Sequence, residues 1–196
     1  MIMQKGNLLE MHLEKRLFFY ALIIAFFLMF VSCSKAGDTT KMGAALEVKS
    51  TAFGNAKSMS DKYTCDDVDI SPSLEWKNAP AGTKSFAIIC ETPDNPTGNW
   101  VQWVIYDIPA GITNLPQSVA KTEQLDFGAR QGKNDFDQVG YSGPCLPAGE
   151  HRFFFRVYAL DGPTNLKPGV KKDELVEAMK GHILAEGVLM GVYARE

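Results

Sequence analysis

Gly140-Tyr-Ser-Gly-Pro-Cys-Leu-Pro-Ala-Gly-Glu-His-Arg152 runs directly into Phe153-Phe-Phe-Arg-Val-Tyr-Ala-Leu160, and this junction carries most of what the chain says about its fold. The second half is aromatic and β-branched, the composition of a pleated, half-buried strand. The first half holds three glycines and two prolines, which mark a loop. Glycines let backbone N–H groups turn toward a ligand, and such concavities bind anions. His151 stands at the mouth of the strand, where an imidazole is either structural or a donor to a ligand.

Working outward, two more strands read the same way. Phe86-Ala-Ile-Ile-Cys90 is a short apolar run that predicts a buried strand ending in a buried free thiol. Trp100-Val-Gln-Trp-Val-Ile-Tyr106 is apolar on both alternating faces except at Gln102, which predicts a strand covered on each side. Clusters of Pro, Gly, Asn and Asp at 78–82, 92–99, 109–116 and 140–149 read as loops. One stretch reads as helix. Lys172 to Glu186 places Leu175, Met179 and Ile183 four apart, with Asp173 and Glu174 in the first turn. Gly187 is a stop signal, and Val188, Met190 and Val192 then alternate as a closing strand. The sum is mainly β, a sandwich with a few peripheral helices.

The chain has 196 residues, 45% hydrophobic and 22% charged, ordinary values for a globular domain. Its length suits one substantial core. Setting aside the three bases and two acids of residues 1–32 leaves 17 basic against 21 acidic groups, opposite in sign to a nucleic-acid binder. Lys15 and Arg16 precede the apolar run Leu17 to Val31, then Ser32 and Cys33, which predicts a secretory signal over 1–32. The run falls short of the roughly 20 residues that span a bilayer comfortably, so a single-pass anchor is the lesser alternative. Phe30-Val-Ser-Cys33 resembles the lipobox of bacterial lipoproteins, in which the cysteine is lipidated, although leucine is usual where Phe30 stands. Residues 33–45 are small and polar and read as a tether to a domain over 46–196. The expected location is the bacterial cell envelope, with membrane attachment through the N-terminal lipid.

Two candidate site positions emerge besides His151. Glu91-Thr-Pro-Asp-Asn-Pro96 is a proline-stiffened loop that presents Asp94, either to its own turn or to a ligand. The Asn95–Pro96 bond is open to the cis form. Gln102 is the one polar side chain in its strand. A buried amide needs partners or costs roughly 1–3 kcal/mol, so it serves a neighbouring loop or lines a pocket.

Five ordered motifs carry a resemblance: Ser71-Pro-Ser-Leu-Glu-Trp76, Thr92-Pro-Asp-Asn-Pro96, Trp100-Val-Gln-Trp-Val-Ile-Tyr-Asp-Ile-Pro109, Gly140-Tyr-Ser-Gly-Pro-Cys145, and the run from His151 to Asp161. Together with Met179 to Glu186 and Met190 to Tyr193, they resemble the phosphatidylethanolamine-binding protein family, nearest its bacterial, Raf-kinase-inhibitor-like branch. The resemblance implies a β-sandwich with a small pocket for phosphate-like head groups. An Asp-Pro-Asp-x-Pro loop, a strand histidine and a histidine after the Gly-Pro loop build that pocket. By that likeness the ligand-binding residues here are Thr92, Asp94, Gln102, Tyr141, Pro144 and His151. Thr92 stands where the family has aspartate, Gln102 where it has histidine, and Phe153 where it often has tyrosine. Threonine removes a charge, and glutamine keeps a donor and an acceptor but does not titrate. The expectation is therefore an altered anion site for a small anionic or polar ligand.

A catalytic group is not expected. Cys145 and His151 share a loop, but Cys65 lies in a similar one, and in an oxidising envelope Cys65 and Cys145 can pair instead. Closing that loop stabilises a fold by about 4–5 kcal/mol in the chain-entropy model. Ser142 lacks the strand–turn–helix elbow of a serine hydrolase. The three histidines and the lack of Cys-x-x-Cys argue against a metal, and no phosphate or dinucleotide fingerprint calls for a cofactor. The function expected is non-enzymatic small-ligand binding. The alternative is a protein-interaction or inhibitor module acting on an envelope hydrolase or another protein partner.

Overall fold

In the computed structural model, which describes residues 44–195, the aromatic runs seen in sequence become long neighbouring strands. The expected lipidation site Cys33, the expected leader and most of the expected tether lie outside the described residues. The strands are β1 (Ala44–Ala45), β2 (Glu47–Lys49), β3 (Lys57–Ser58), β4 (Leu74–Lys77), β5 (Ser85–Thr92), β6 (Trp100–Pro109), β7 (Asn114–Leu115), β8 (Arg130–Gln131), β9 (Gly149–Leu160) and β10 (Ile183–Arg195), with helix α1 (Lys172–Met179) before the last. The large sheet has the order β1-β10-β9-β5-β6-β8, with β3 also on β10, and β2-β4-β7 form a smaller sheet. Ala44 and Ala45, at the end of the expected tether, pair with Ala185 and Glu186.

Alternation sorts the side chains into two layers. From the large sheet, Phe86, Ile88, Trp103, Ile105, Phe153 and Phe155 meet Val48, Leu74, Trp76 and Leu115 of the small sheet in one buried core. The opposite face buries Ala87, Ile89, Val104 and Tyr106 against Leu175 and Met179 of α1. β5 and β6 are covered on both sides, which is why their sequences are nearly all apolar.

The helix is shorter than the periodicity predicts. It ends at Met179, and Gly181 (φ 78°) turns the chain where a side chain would be strained. Ile183 to Glu186 belong to β10, whose Ala185 pairs with Ala159. Sheet pairing over a long strand outweighs one more helical turn. The buried face of β10 is also the opposite of the one expected. Ala185, Gly187, Leu189, Gly191 and Tyr193 point inward, while Val188 is exposed. At Gly187 a Cβ would land on the Leu46 carbonyl, and at Gly191 on Met59 Sδ. The glycines let the N-terminal segments cross this face closely, a reason invisible to hydrophobic counting. Within the expected 109–116 loop, Leu115 and Asn114 pair with Leu74 and Glu75 as β7.

Candidate functional site

The end of β5, the start of β6 and the start of β9 come together at one end of the large sheet, where β5 lies between the other two. Thr92 is buried as the last residue of β5, and its Oγ1 accepts the Asp94 N–H at 3.2 Å. Asp94 is tied to β9. Its Oδ2 accepts the Arg152 backbone N–H at 2.8 Å and Nε–H at 2.9 Å, and Oδ1 accepts Nη2–H at 2.6 Å. The hydrogen-bonded guanidinium holds the Asp94 carboxyl below its usual range. Asp94 thus clamps its loop to β9, and its charge is matched. No cis peptide bond occurs among the described residues, so Asn95–Pro96 is trans.

Gln102 sits in a β-bulge. Cys90 pairs with Trp103 and Glu91 with Val101, leaving Gln102 as the extra residue. The bulge reverses the alternation: Trp103 joins the core between the sheets, while Val101, two residues away, joins the layer under α1. The Gln102 carbonyl accepts the Ser142 N–H at 3.0 Å, but its fully buried amide finds no partner at either Oε1 or Nε2. Trp100 Nε1 and His151 Nδ1 are likewise buried and unpartnered.

The Gly/Pro loop is held from several sides. Tyr141 packs between Trp103 (5.8 Å) and Phe155 (6.5 Å) and donates its hydroxyl to the Tyr63 carbonyl at 2.7 Å. Burial pushes that phenol well above its ordinary pKa. Tyr141 is therefore a core pillar with its hydroxyl already used. Gly143 donates to Asp69 Oδ1 at 2.6 Å, and a Cβ there would land on the Tyr63 carbonyl. The Pro144 carbonyl accepts the Cys65 N–H at 3.1 Å, beside the Cys65–Cys145 disulfide. Cys145 is thereby taken out of any thiolate pair with His151. Cys90 is a buried free thiol, its pKa raised by desolvation. Ser142 Oγ lies between Asn134 Nδ2 (2.9 Å) and Gln138 Oε1 (3.2 Å). His151 Nε2 faces the Pro147 carbonyl at 3.0 Å.

The two loops enclose a hollow of about 350 Å³ whose walls include Asn95, Thr97, Trp100, Phe136, Leu146 and Pro147. Cys145 and Phe136 also border an adjoining recess of about 160 Å³. Thr92, Asp94, Gln102 and His151 are not themselves wall residues of the hollow. Three of them adjoin wall residues: Thr92 is the cross-strand partner of Trp100, Asp94 precedes Asn95, and His151 faces the Pro147 carbonyl, while the Gln102 carbonyl bonds Ser142 of the adjoining recess. A larger depression of about 600 Å³ lies over the small sheet between Lys49, Ser73 and Asn114. Its hydroxyls bond one another there, as Thr51 Oγ1 does with Ser73 Oγ at 2.7 Å.

Sequence reasoning missed Asn134, Asp135 and Phe136. Asn134 is fully buried. It donates to the Gly140 carbonyl (3.0 Å) and accepts from Phe136 N–H (2.9 Å) and Gln138 N–H (3.1 Å). Asp135 accepts the Val101 N–H at 2.8 Å. These residues bind the Phe136 loop to the bulged strand. In sequence they form a polar run, the usual look of an exposed loop, and only its burial distinguishes it.

Fold and site define a two-sheet β-sandwich whose loops enclose a small recess at one end of the larger sheet. A sequence profile described as "Phosphatidylethanolamine-binding protein" matches residues 49–194, and the chain belongs to that family. It is 45% identical to a UPF0098 protein of Methanothermobacter thermautotrophicus over 150 residues, covering 76% of this chain and 99% of the relative. A solved phosphatidylethanolamine-binding protein homologue from Chlamydia trachomatis superposes with a TM-score of 0.71 at 37% identity, covering 78% of this chain and 99% of the other. E. coli YbcL, described as a new member of the mammalian family, superposes with a TM-score of 0.73 at 29% identity, covering 78% of this chain and all of the other.

Proposed function

We propose that the protein is a non-enzymatic module that binds a small phosphate-like or polar head group at the recess between the Thr92–Asn99 and Gly140–Gly149 loops. One observation carries this proposal: Gln102 is fully buried at a strand bulge with both ends of its amide unsatisfied. Buried polar groups of this kind are rare in native proteins and are met by water or a ligand. Trp100 Nε1 and His151 Nδ1, also unmet, lie at the margins of the same recess. The disulfide supports an oxidising compartment, in keeping with a lipid anchor at Cys33 and a place in the bacterial envelope. Titration with phosphoethanolamine, followed by NMR at the His151 ring and the Gln102 amide, tests the site. Movement of both signals is expected, and an unchanged spectrum at millimolar ligand overturns the proposal.

A second function rests on a separate observation. Val68 and Phe136 expose apolar surface, Phe136 beside Cys145 of the disulfide on the wall of both recesses. This rim suits a protein partner, such as an envelope hydrolase held by an inhibitor module. Partner capture that survives Gln102→Ala and His151→Ala but fails with Phe136→Asp favours it.

A further inference from the structure

The unsatisfied atoms at and beside the recess differ in what they need, and that difference selects among ligands. His151 Nε2 faces a carbonyl oxygen at 3.0 Å. A carbonyl has no proton to give, so in the neutral ring Nε2 carries the hydrogen and Nδ1 is left as an acceptor. That Nδ1 is buried with nothing to bond. Gln102 offers an acceptor at Oε1 and a donor at Nε2, and Trp100 offers an indole N–H. Two acceptors and two donors are therefore waiting.

Formal charge is missing from the same place. Thr92 and Gln102 are neutral, and the Asp94 carboxylate is matched by Arg152 through three hydrogen bonds. A doubly ionised oxyanion carries acceptors only. It would satisfy the Gln102 and Trp100 N–H groups and leave Gln102 Oε1, and the Nδ1 of a neutral His151, facing its lone pairs. An unmet buried acceptor weakens binding substantially.

Resting on the binding function proposed above, we infer that the site selects an uncharged group that donates as well as accepts, such as a primary carboxamide, over a dianionic phosphoryl group. A carboxamide places an N–H donor and a C=O acceptor side by side, the complement of the Gln102 side chain. Gln102 is then the specificity-determining residue and the His151 tautomer its second element.

Two probes at pH 8 test this on the disulfide-intact protein: acetamide, and methyl phosphate, which is largely doubly ionised at that pH. Nitrogen chemical shifts of His151, read without ligand, are expected to show the hydrogen on Nε2 and a bare Nδ1. Acetamide is expected to move the Gln102 and His151 signals and to bind about tenfold more tightly than methyl phosphate. Gln102→His is expected to swing that preference toward methyl phosphate, and Gln102→Met to remove acetamide binding. The wild-type shift measurement stands even if a variant folds poorly. Hydrogen on Nδ1, or tighter binding of methyl phosphate by the wild type, overturns the selectivity and leaves the binding site intact. Silence toward both probes overturns the binding site as well.

Discussion

Gln131 and Gln102 are both fully buried, and the protein treats them in opposite ways. Gln131 spends its whole amide inside the fold. Oε1 accepts the Trp103 indole N–H at 2.7 Å, and Nε2 donates to the carbonyls of Ala120 and Thr122, each at 2.7 Å. Gln102, one residue from Trp103, spends none of its amide. The first glutamine is a strut joining β8, β6 and the 120–122 segment. The second stands on a bulge, the device by which a strand re-aims one side chain, at the end of the sheet where two loops leave a recess. Equal burial with unequal satisfaction is the contrast on which the proposed binding site rests.

Four measurements sharpen or break that contrast, beginning with the largest effect. The recess end of the sheet is anchored by the disulfide, which spans 80 residues of chain. Cys65→Ser with Cys145→Ser is expected to cost about 4–5 kcal/mol in urea unfolding on the chain-entropy estimate. A loss under about 1 kcal/mol would mean that the Pro144, Gly143 and Tyr141 hydrogen bonds hold the loops unaided.

Gln131→Ala is next. It strands the Trp103 N–H and two carbonyls and leaves a void, with an expected loss of about 3 kcal/mol. Gln102→Met keeps the volume and deletes two unmet atoms, so stability should rise by about 1 kcal/mol while ligand binding falls. If the two variants lose similar stability, the distinction between the two glutamines would be falsified.

The smallest effect belongs to Asp94. Its folded pKa is depressed by Arg152, so its contribution is present above the unfolded carboxyl value and is lost as pH falls through the folded one. The pair is partly exposed, so Asp94→Asn should cost about 0.5–1 kcal/mol near neutrality. The difference from wild type should shrink below about pH 4, where the unfolded-state carboxyl takes up a proton, and fade as pH falls through the lower folded value. An undiminished difference in acid would show that Asp94 acts through shape and not charge.

How much of this was legible depended on how local the cause was. The strands at 86–90, 100–106 and 153–160 and the loops between them follow from apolar runs and Gly/Pro punctuation, which report burial and turning directly. The Cys65–Cys145 pairing was one of two alternatives until the fold brought residues 80 apart together. The helix was overextended because Ile183 and Leu184 continue its stripe, yet they belong to β10, where Ile183 pairs with Leu160 of β9. Tyr141 looked like a ligand contact because it sits in the right loop, and its hydroxyl turned out to serve Tyr63. Asn134 was missed because a buried asparagine and an exposed one are the same letter.

The sequence by itself determined the β-rich class, the loops where the candidate residues gather, and Gln102 as the polar exception in its strand. Those depend on periodicity and composition, which each segment carries alone. Only the tertiary structure decided that Asp94 is paired with Arg152, that the buried Gln102 amide has no partner, and that His151 faces the Pro147 carbonyl with its other ring nitrogen buried. Each of those depends on which atom stands within three ångströms of another across strands far apart in the chain, and a hydrogen bond exists only where both partners arrive.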